Sequence, residues 1–230
     1  MSKSLPVRDP FELLNEHVNV SRETFSKLSI YHDLLLKWQR KINLISPDTV
    51  ANSWERHFLD SLQLLKHIPS THGNIIDIGT GAGFPGMALA VAGIDNIHLI
   101  ESDAKKVTFL KNVSRETFSP VSVLHGRMEN IQLENVHIIL SRACSNLTQL
   151  LELASKNVSR ETFCLFHKGK NWAKEVEDAN KSWEFDLTTI PSVTDSSGMI
   201  VKLSTIYRRA SLQKLSSNKP QKIVSFLSSI

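Results

Sequence analysis

The sequence predicts an α/β protein in which a mostly parallel sheet follows a helical N-terminal region. Three observations lead to this fold class. From residue 73 onward, short apolar segments of strand length alternate with helical segments. A glycine-rich stretch, DIGTGAGFPG, stands between the first of these strands and the first of these helices. Before residue 73, the apolar residues recur at helical spacing.

The N-terminal region, residues 1–72, is predicted to form a helical cap on the sheet. In the segment FSKLSIYHDLLLKWQRKINLI, apolar side chains recur every three, four or seven residues. They are Phe25, Leu28, Leu35, Trp38 and Ile42. The segment SPDTVANSWERHFLDSLQLLKHI predicts at least one more helix, with Ser53 as its N-cap. Gly73 marks the boundary with the next domain.

The sheet domain is predicted over residues 73–209. Its strands are the segments NIIDIG, NIHLIES, VSVLHG, HIILSRA, TFCLFHKG, SWEFDLTTIP and GMIVKLSTIYRR. The last two resemble an antiparallel pair that closes the sheet, while most of the others are joined through helices by right-handed parallel connections. Asp103 is predicted to begin the helix after the second strand. Residues 210–230 form a basic tail, whose final IVSFLSSI is compatible with a short docked helix.

Composition and charge limit the class of protein. Hydrophobic residues make up 41% of the 230 residues, which is enough for a packed core. No apolar run approaches the roughly 20 residues of a membrane helix, and the N-terminus lacks the apolar centre of a signal peptide. We therefore expect a cytoplasmic protein that does not engage a membrane. The net charge of +4 favours a polyanionic partner. Cys144 and Cys164 form no metal-ligand spacing, and we expect both to be buried small side chains.

The glycine-rich stretch carries the strongest chemical signal. Gly79, Gly81 and Gly83 permit a tight turn and a close approach of the backbone to a nucleotide-like ligand. The turn follows the first strand, and an open parallel sheet binds ligands at the carboxyl ends of its strands. The alternative is a structural glycine turn without a ligand.

The identity of the ligand needs a further argument, because GAGFPG also matches the dinucleotide fingerprint G-x-G-x-x-G. Three details argue against a dinucleotide. The glycine run begins at Gly79, directly after the strand. Pro85, predicted at the first position of the helix, lacks the N–H that a diphosphate would use. Asp77 would repel a diphosphate but suits the cationic methionine end of S-adenosylmethionine. Because Glu101, at the end of the second strand, is also placed to accept both ribose hydroxyls, S-adenosylmethionine is the predicted cofactor.

Further candidate residues follow the third and fourth strands. In the segment GRMEN, Met128 is placed to cover the adenine ring and Glu129 to approach its edge. Core packing and a surface charge are the alternative interpretations of these two residues. Arg142 ends the fourth strand, where an open α/β sheet gathers its reactive groups. A salt bridge from Arg142 to Asp77 or Glu101 is the structural alternative.

Two more groups of polar residues are candidates. His57 and Asp60 lie one helical turn apart and, with Arg56, would face the cofactor or RNA. The alternative is a buried hydrogen bond between His57 and Asp60 that ties the cap to the sheet. One histidine and one aspartate do not predict a metal site. Lys168 and Lys170, at the end of the fifth strand, fit contacts to RNA phosphates or a solvated surface.

Six segments over most of residues 25–207 carry a resemblance to a known family. They are KWQRKINLIS, ERHFLDSL, IIDIGTGAGFPGMALA, LIESDAKKVTFLK, ILSRA and HKGK. In this order they resemble the bacterial 16S ribosomal RNA guanine-N7 methyltransferases of the RsmG type, also called glucose-inhibited division protein B. The resemblance implies a class I S-adenosylmethionine-dependent methyltransferase, with a Rossmann-like, seven-stranded, mostly parallel sheet preceded by N-terminal helices. It also implies cofactor contacts from Gly79, Phe84, Met128, Glu129 and Arg142. Cys144 departs from the family, in which an aromatic residue is usual at this position.

The implied reaction agrees with what the sequence lacks. Guanine N7 carries a lone pair and no proton, so its methylation requires positioning and no general base. The chain contains no N-P-P-Y segment for exocyclic amines and no Pro-Cys pair for pyrimidine C5, so we do not expect Cys144 to act as a nucleophile. Arg142 is predicted to hold the target guanine or the cofactor. The expected partner is 16S ribosomal RNA or the small ribosomal subunit, bound by a monomer.

Two other classes of function stay open at this point. One is an S-adenosylmethionine-dependent methyltransferase that acts on another RNA, a protein or a small molecule. The other is a nucleic-acid-binding module that keeps the cofactor fold without turnover.

The heptapeptide NVSRETF occurs three times without change, at 19–25, 112–118 and 157–163. Its unequal spacing excludes a solenoid repeat, and its copies are predicted at a helix start, at a helix end and between a helix end and a strand. One set of codons for it contains TGTTTCACGTGAAACA, which reads identically on both strands and resembles the centromere-like sites of bacterial chromosome-partition proteins. We therefore hypothesise that the repeat is selected in the DNA and tolerated by the protein. Scattered synonymous codons in the three copies would refute this hypothesis.

Overall fold

A computed structural model describes residues 8–142 and 144–209. Within these residues, seven strands form one sheet, and helices cover both of its faces. The strands are β1 (Asn74–Ile78), β2 (Ile97–Glu101), β3 (Ser122–His125), β4 (Val136–Arg142), β5 (Phe163–Lys168), β6 (Trp183–Pro191) and β7 (Met199–Arg208). Each strand coincides with one of the predicted segments, so the predicted α/β fold class is confirmed.

The strand order of the sheet is β3-β2-β1-β4-β5-β7-β6. The first five strands in this order are parallel neighbours. Strand β7 runs antiparallel between β5 and β6, so the predicted antiparallel pair is present with β6 at the edge. The chain continues from β1 to β2 on one side and later returns to β4 on the other. The carboxyl ends of β1 and β4 therefore flank the point at which an open sheet forms its ligand crevice.

In the described part of the chain, seven α-helices accompany the sheet. They are α1 (Pro10–Asn15), α2 (Arg22–Gln39), α3 (Asp60–Leu62), α4 (Gly86–Val91), α5 (Ala104–Thr117), α6 (Leu147–Ala154) and α7 (Trp172–Ala179). Asp103 begins α5 as predicted, because its carboxylate accepts two backbone N–H groups of the first turn. Ser21 caps α2 in the same way through the N–H of Thr24. Helix α2 ends at Gln39, so the apolar pattern that predicted it continues past its end to Ile42, which packs against the same core.

The second half of the helical cap is irregular. A π-helical turn over Trp54–Leu59 leads into α3 and then into a 3-10 turn over Gln63–His67. Ser53 stands at the predicted start of this segment, but the prediction that its side chain caps the helix is wrong. Its backbone is already helical, and its hydroxyl oxygen lies 2.9 Å from Nε2 of His32 instead. Such π-helical turns often occur at functional sites.

The cap and one face of the sheet share a single hydrophobic core. Leu28, Tyr31 and Leu35 of α2 are fully buried against residues such as Met87 of α4 and Phe109 of α5. Helices α6 and α7 cover the opposite face over a second cluster. Each buried methylene contributes about 0.8 kcal/mol of stabilisation. This apolar contact holds the cap against the sheet. The division of the chain at residue 73 stays a prediction.

The three copies of NVSRETF occupy three different structures, as predicted. In the first, Ser21 caps α2. The second forms the end of α5, and its Phe118 adopts a left-handed conformation with 86% of its surface exposed. The third runs from a 3-10 turn over Ser155–Asn157 to the first residue of β5. No structural role is common to the three copies.

The predicted basic tail at 210–230 and its final helical segment lie outside the described residues. Within the described part of the chain, we find no helix with both the length and the apolar character needed to cross a membrane.

Candidate active site

The glycine loop joins β1 to α4 at the carboxyl edge of the sheet. Gly79, Gly81 and Gly83 all have positive φ angles, of 63°, 59° and 98°, which side chains other than glycine rarely adopt. A Cβ atom at Gly79 would also lie only 2.6 Å from Sγ of Cys144. The loop backbone thus lies open to a ligand at a point where a side chain would not fit.

Asp77 braces this loop from inside the protein. Its Oδ2 accepts hydrogen bonds from Oγ1 of Thr80 at 2.6 Å and from the backbone N–H of Gly86 at 2.9 Å. Its Oδ1 is buried without a hydrogen-bond partner among the described residues. Burial is the main cause that raises the pKa of Asp77 to about 6. A buried carboxylate with a free oxygen favours a nearby cationic group and opposes a diphosphate.

Pro85 does not occupy the predicted first position of the helix, because α4 begins one residue later, at Gly86. A diphosphate is nevertheless disfavoured at the start of α4. Pro85, joined to Phe84 by a cis peptide bond, has no N–H to offer, and the N–H of Gly86 is already bonded to Asp77. The donors at the start of α4 are therefore not free for an anion.

Glu101 holds the other side of the loop. Its Oε2 accepts the N–H of Gly81 at 3.0 Å, and its Oε1 accepts the N–H of Asp103 at 2.8 Å. Each carboxylate oxygen keeps a second lone pair after these bonds. Glu101 can therefore support the loop and accept hydroxyl donors from a ligand at the same time.

Four of the predicted residues line one cavity of about 210 Å³, which we call the first cavity. They are Gly79, Glu101, Met128 and Glu129. Met128 is buried at the start of a short 3-10 turn, and its apolar side chain forms part of the wall. Cys144 faces the cavity from across Gly79. A glycine backbone, an apolar side chain and hydroxyl acceptors together fit a nucleoside, so the residues present suit S-adenosylmethionine.

The first cavity does not include every residue predicted to contact the cofactor. Asp77 and Gly81 do not line it, but their hydrogen bonds to Thr80 and Glu101 fix the shape of the glycine loop. The Phe84 side chain is buried between the ring of Tyr31, at a centroid distance of 5.3 Å, and that of His57, at 5.2 Å. The side chain of Phe84 thus packs against the helical cap.

Arg142 lies beside Phe84 and reaches into the cap. Its Nη1 donates to the carbonyl of Arg56 at 3.1 Å and lies 3.5 Å from Oδ2 of Asp60. Its Nη2 lies 2.7 Å from Nδ1 of His57. The alternative of a salt bridge to Asp77 or Glu101 is wrong, because the ion pair that Arg142 forms is with Asp60.

The predicted alternative of a direct hydrogen bond between His57 and Asp60 is also wrong, because both side chains bond other partners. Nε2 of His57 lies 2.8 Å from Oγ1 of Thr49. Asp60 Oδ1 instead accepts from Gln63 at 2.9 Å and from Thr194 at 2.7 Å. The two side chains nevertheless tie the cap to the sheet, since both contact Arg142.

Arg142 lines a different cavity, of about 180 Å³, which we call the second cavity. Arg56, Asp60, Arg142, His167 and Lys168 line it, together with the hairpin turn between β6 and β7. The cap fixes this turn in place, because Gln63 accepts the N–H of Val193 and Arg56 donates to the carbonyl of Thr194. The first cavity thus lies at the carboxyl ends of β1 and β2, and the second lies at those of β4 and β5. Arg142 lines the second cavity.

Lys168 and Lys170 have different roles in the structure. Lys168 is buried, pairs with Glu175 at 2.7 Å and donates to the carbonyl of Ser145 at 2.7 Å, so its interpretation as a solvated surface charge is wrong. Lys170 is exposed. The expectation for the cysteines is confirmed for Cys164 and wrong for Cys144, which is exposed at the first cavity.

Tyr31 is a site residue that sequence reasoning missed. Its hydroxyl donates to the carbonyl of Ala82 in the glycine loop, and its ring stacks on Phe84. The signal was its place on the apolar face of α2 between Leu28 and Leu35, because a buried tyrosine hydroxyl requires a polar partner. The helical cap therefore helps to shape the ligand loop directly.

Across residues 8–142 and 144–209, no cluster of three or more His, Cys, Asp or Glu side chains is arranged to hold a metal ion.

Comparison with known proteins matches this chain to one family. The family model described as GidB, rRNA small subunit methyltransferase G, matches residues 24–201. Ribosomal RNA small subunit methyltransferase G of Paramagnetospirillum magneticum is 41% identical and covers 86% of this chain and 97% of its own length. The protein of the same name from Rhodospirillum centenum is 42% identical, with coverage of 83% and 88%. That from Rickettsia prowazekii is 38% identical, with coverage of 82% and 98%.

Solved structures resemble this chain in fold alone. A TehB-like SAM-dependent methyltransferase from Corynebacterium glutamicum has a TM-score of 0.51 and 14% identity, and covers 76% of this chain and 98% of its own. A SAM-dependent methyltransferase from Aquifex aeolicus has a TM-score of 0.52 and 16% identity, with coverage of 66% and 92%. The expected class I methyltransferase fold with a seven-stranded sheet is thus confirmed.

Proposed function

This chain belongs to the rRNA small subunit methyltransferase G family, and from that premise we propose that it transfers a methyl group from S-adenosylmethionine to N7 of a guanine in 16S ribosomal RNA. The observation that carries the proposal is the first cavity, which combines the glycine loop with Glu101 and Met128 at the carboxyl ends of the strands. We further propose that a monomer acts in the cytoplasm on this RNA or on the small ribosomal subunit.

We assign cofactor binding to the predicted residues in two groups. Gly79, Glu101, Met128 and Glu129 would contact the cofactor in the first cavity. Asp77, Gly81 and Phe84 would act indirectly, because they set the shape and charge of the glycine loop that contacts the cofactor. When bound, S-adenosylmethionine supplies an electrophilic methyl group on its sulfonium. The residues of this chain have the task of placing the guanine in line with that methyl group.

The second cavity is our candidate for the target base. It lies next to the first cavity at the ends of β4 and β5, and Arg142 stands where β4 ends. An arginine can donate a hydrogen bond to O6 of guanine and leave the N7 lone pair free for the methyl group. Arg56, which lines this cavity, and Lys170, which follows the lining residue Gly169, are exposed and can contact phosphates. From this position Arg142 would orient the base or the cofactor.

The proposed reaction requires no nucleophile or base from the protein. Guanine N7 carries a free lone pair, so proximity and orientation supply the acceleration. Cys144 is the thiol at the first cavity, and the partial desolvation of its side chain, followed by the charge of Asp77, raises its pKa above the usual range. A thiol with a raised pKa is a poor nucleophile near neutral pH, which supports a non-covalent reaction.

The test compares 16S RNA from cells with and without this protein by primer extension and mass spectrometry. We expect one 7-methylguanine to disappear without the protein and to return with the wild-type chain. Arg142→Ala should restore little of it. Arg115→Ala should restore it fully, because Arg115 is exposed and, among the described residues, its side chain pairs only with Asn112 and Glu116. A 7-methylguanine that persists without the protein would overturn the proposal.

A further inference from the structure

The hydrogen bonds around Arg142 have a fixed direction. A guanidinium group only donates hydrogen bonds, so Nδ1 of His57, at 2.7 Å from Nη2 of Arg142, must be the acceptor. A neutral imidazole with an unprotonated Nδ1 carries its hydrogen on Nε2. The contact with Arg142 thus selects one of the two tautomers of His57.

Thr49 completes the selection from the other side of the ring. Its Oγ1 lies 2.8 Å from Nε2 of His57 and 2.8 Å from the carbonyl oxygen of Ser46. The hydroxyl hydrogen must go to the carbonyl, because a carbonyl only accepts. The Thr49 oxygen is then left as an acceptor for the Nε2–H of His57. The bonds form one chain, in which Arg142 donates to His57, His57 to Thr49 and Thr49 to Ser46.

The imidazole in this chain is built to stay neutral. His57 is 6% exposed and stacks on Phe84 within the π-helical turn. Burial, and then the charge of Arg142, lower the pKa of His57 to about 3. A protonated ring would direct an N–H at a guanidinium that has no acceptor to offer.

We propose that Thr49 and His57 are positioning residues for methyl transfer, with Thr49 fixing the His57 tautomer that holds Arg142 at the second cavity. The inference rests on the proposed function, because it takes Arg142 as the group that orients the target base or the cofactor. Thr49 lies in a short 3-10 turn of the cap and lines neither of the two cavities. Its effect on the reaction would pass through His57 alone.

Two matched pairs of variants test this relay in the full-length protein. Thr49→Ser keeps the acceptor for His57 and Thr49→Val removes it, with little change in volume. His57→Asn places an amide oxygen near the position of Nδ1, whereas His57→Gln places its amide near the position of Nε2. We expect Thr49→Val and His57→Gln to lower kcat for 16S RNA methylation by about tenfold, the loss expected for one buried hydrogen bond. Thr49→Ser and His57→Asn should stay within about threefold of the wild type.

The readout includes a spectroscopic signature that a purely structural role would not move. Imidazole ¹⁵N shifts of the wild-type protein should show His57 with its hydrogen on Nε2. Thr49→Val should shift His57 toward a mixture of tautomers, because a ring that Thr49 no longer holds can turn away from Arg142, which also selects the tautomer. A wild-type ring with its hydrogen on Nδ1, or protonated at neutral pH, would overturn the inference without any variant. Equal activity of Thr49→Val and Thr49→Ser would also overturn it.

Arg142→Ala separates this inference from the proposed function. If Arg142→Ala is inactive while folded Thr49→Val is fully active, the relay fails and the assigned role of Arg142 stands. If Arg142→Ala is as active as the wild type, the role assigned to Arg142 fails first and the relay fails with it.

Discussion

The carboxylate of Asp77 accepts the backbone N–H of Gly86 at 2.9 Å, which joins the end of β1 to the start of α4 across the glycine loop. The same oxygen accepts from Thr80, so one buried oxygen fixes both ends of the turn. The other oxygen has no hydrogen-bond partner among the described residues. The loop is therefore held in shape by a charge that lacks full compensation.

This arrangement predicts a pH dependence of stability that Asp77→Asn abolishes. Burial raises the pKa of Asp77 to about 6 in the folded protein, against an ordinary value of 3.8. The folded state therefore binds this proton more tightly than the unfolded chain does, and stability falls as pH rises from about 4 to about 6. A shift of this size corresponds to about 3 kcal/mol. The amide of Asn keeps the two accepted hydrogen bonds and does not ionise.

The measurement is the free energy of unfolding in urea at pH 4, 5, 6 and 7. We expect the difference between Asp77→Asn and the wild type to grow by about 3 kcal/mol across this range and then to level off. Asp48→Asn is the control, because Asp48 is exposed and its variant should track the wild type. Parallel curves for Asp77→Asn and the wild type would contradict the prediction.

Gly83→Ala should destabilise the protein more than Gly93→Ala. Both glycines have a positive φ angle near 100°, so the backbone strain from alanine is similar at the two sites, about 1–2 kcal/mol. A Cβ at Gly83 would lie 2.5 Å from the hydroxyl oxygen of Tyr31 and 2.7 Å from Cβ of Met87, whereas nothing lies within 4 Å of a Cβ at Gly93. We expect an additional loss of about 1–3 kcal/mol for Gly83→Ala from this overpacking.

Thermal and urea unfolding of the two alanine variants measure this difference. S-adenosylmethionine affinity should also fall in Gly83→Ala alone, because a displaced Tyr31 no longer supports the carbonyl of Ala82. If the two alanine variants have equal stability and equal affinity for S-adenosylmethionine, the contact of Tyr31 with the glycine loop does not contribute to either quantity.

Lys168→Met should cost about 3–5 kcal/mol, because it leaves Glu175 as an uncompensated and largely buried charge. Adding Glu175→Gln should recover part of this loss, since glutamine can still accept the N–H of Leu147 without carrying a charge. Lys170→Met should leave stability unchanged and reduce the salt dependence of RNA binding, because Lys170 is exposed.

Unfolding free energies of the three variants and RNA affinities at two salt concentrations test this assignment. If Lys168→Met keeps wild-type stability and loses only RNA affinity, Lys168 is a phosphate contact and the structural interpretation fails.

The strands, and the grouping of Gly79, Glu101 and Met128 at one edge of the sheet, could be predicted from the sequence because both depend on local signals. The strands carried continuous apolar runs, and the glycines at 79, 81 and 83 marked positive-φ backbone that other residues adopt only rarely. Glu101 ends β2 and Met128 follows the neighbouring strand β3, so the parallel topology alone brings them to one edge.

The partners of the polar side chains could not be predicted in the same way. Arg142 pairs with Asp60 of the helical cap, which lies 82 residues earlier, and no periodic pattern encodes that contact. Ser53 satisfied the local rule for an N-cap, yet its hydroxyl bonds His32 because a π-helical turn had already begun. Lys168 looked like a surface charge because its partner, Glu175, belongs to the following helix.

The three copies of NVSRETF offer an internal calibration of local stability. Amide hydrogens of an unstructured peptide exchange with solvent at rates set by their own and the preceding side chains, and these are identical in the three copies from the second residue onward. Any difference in exchange between Phe25, Phe118 and Phe163 therefore reports structure alone, free of the usual correction for sequence. One chain thus carries the same seven residues at a helix start, a helix end and a strand entry, and each copy serves as the reference for the other two.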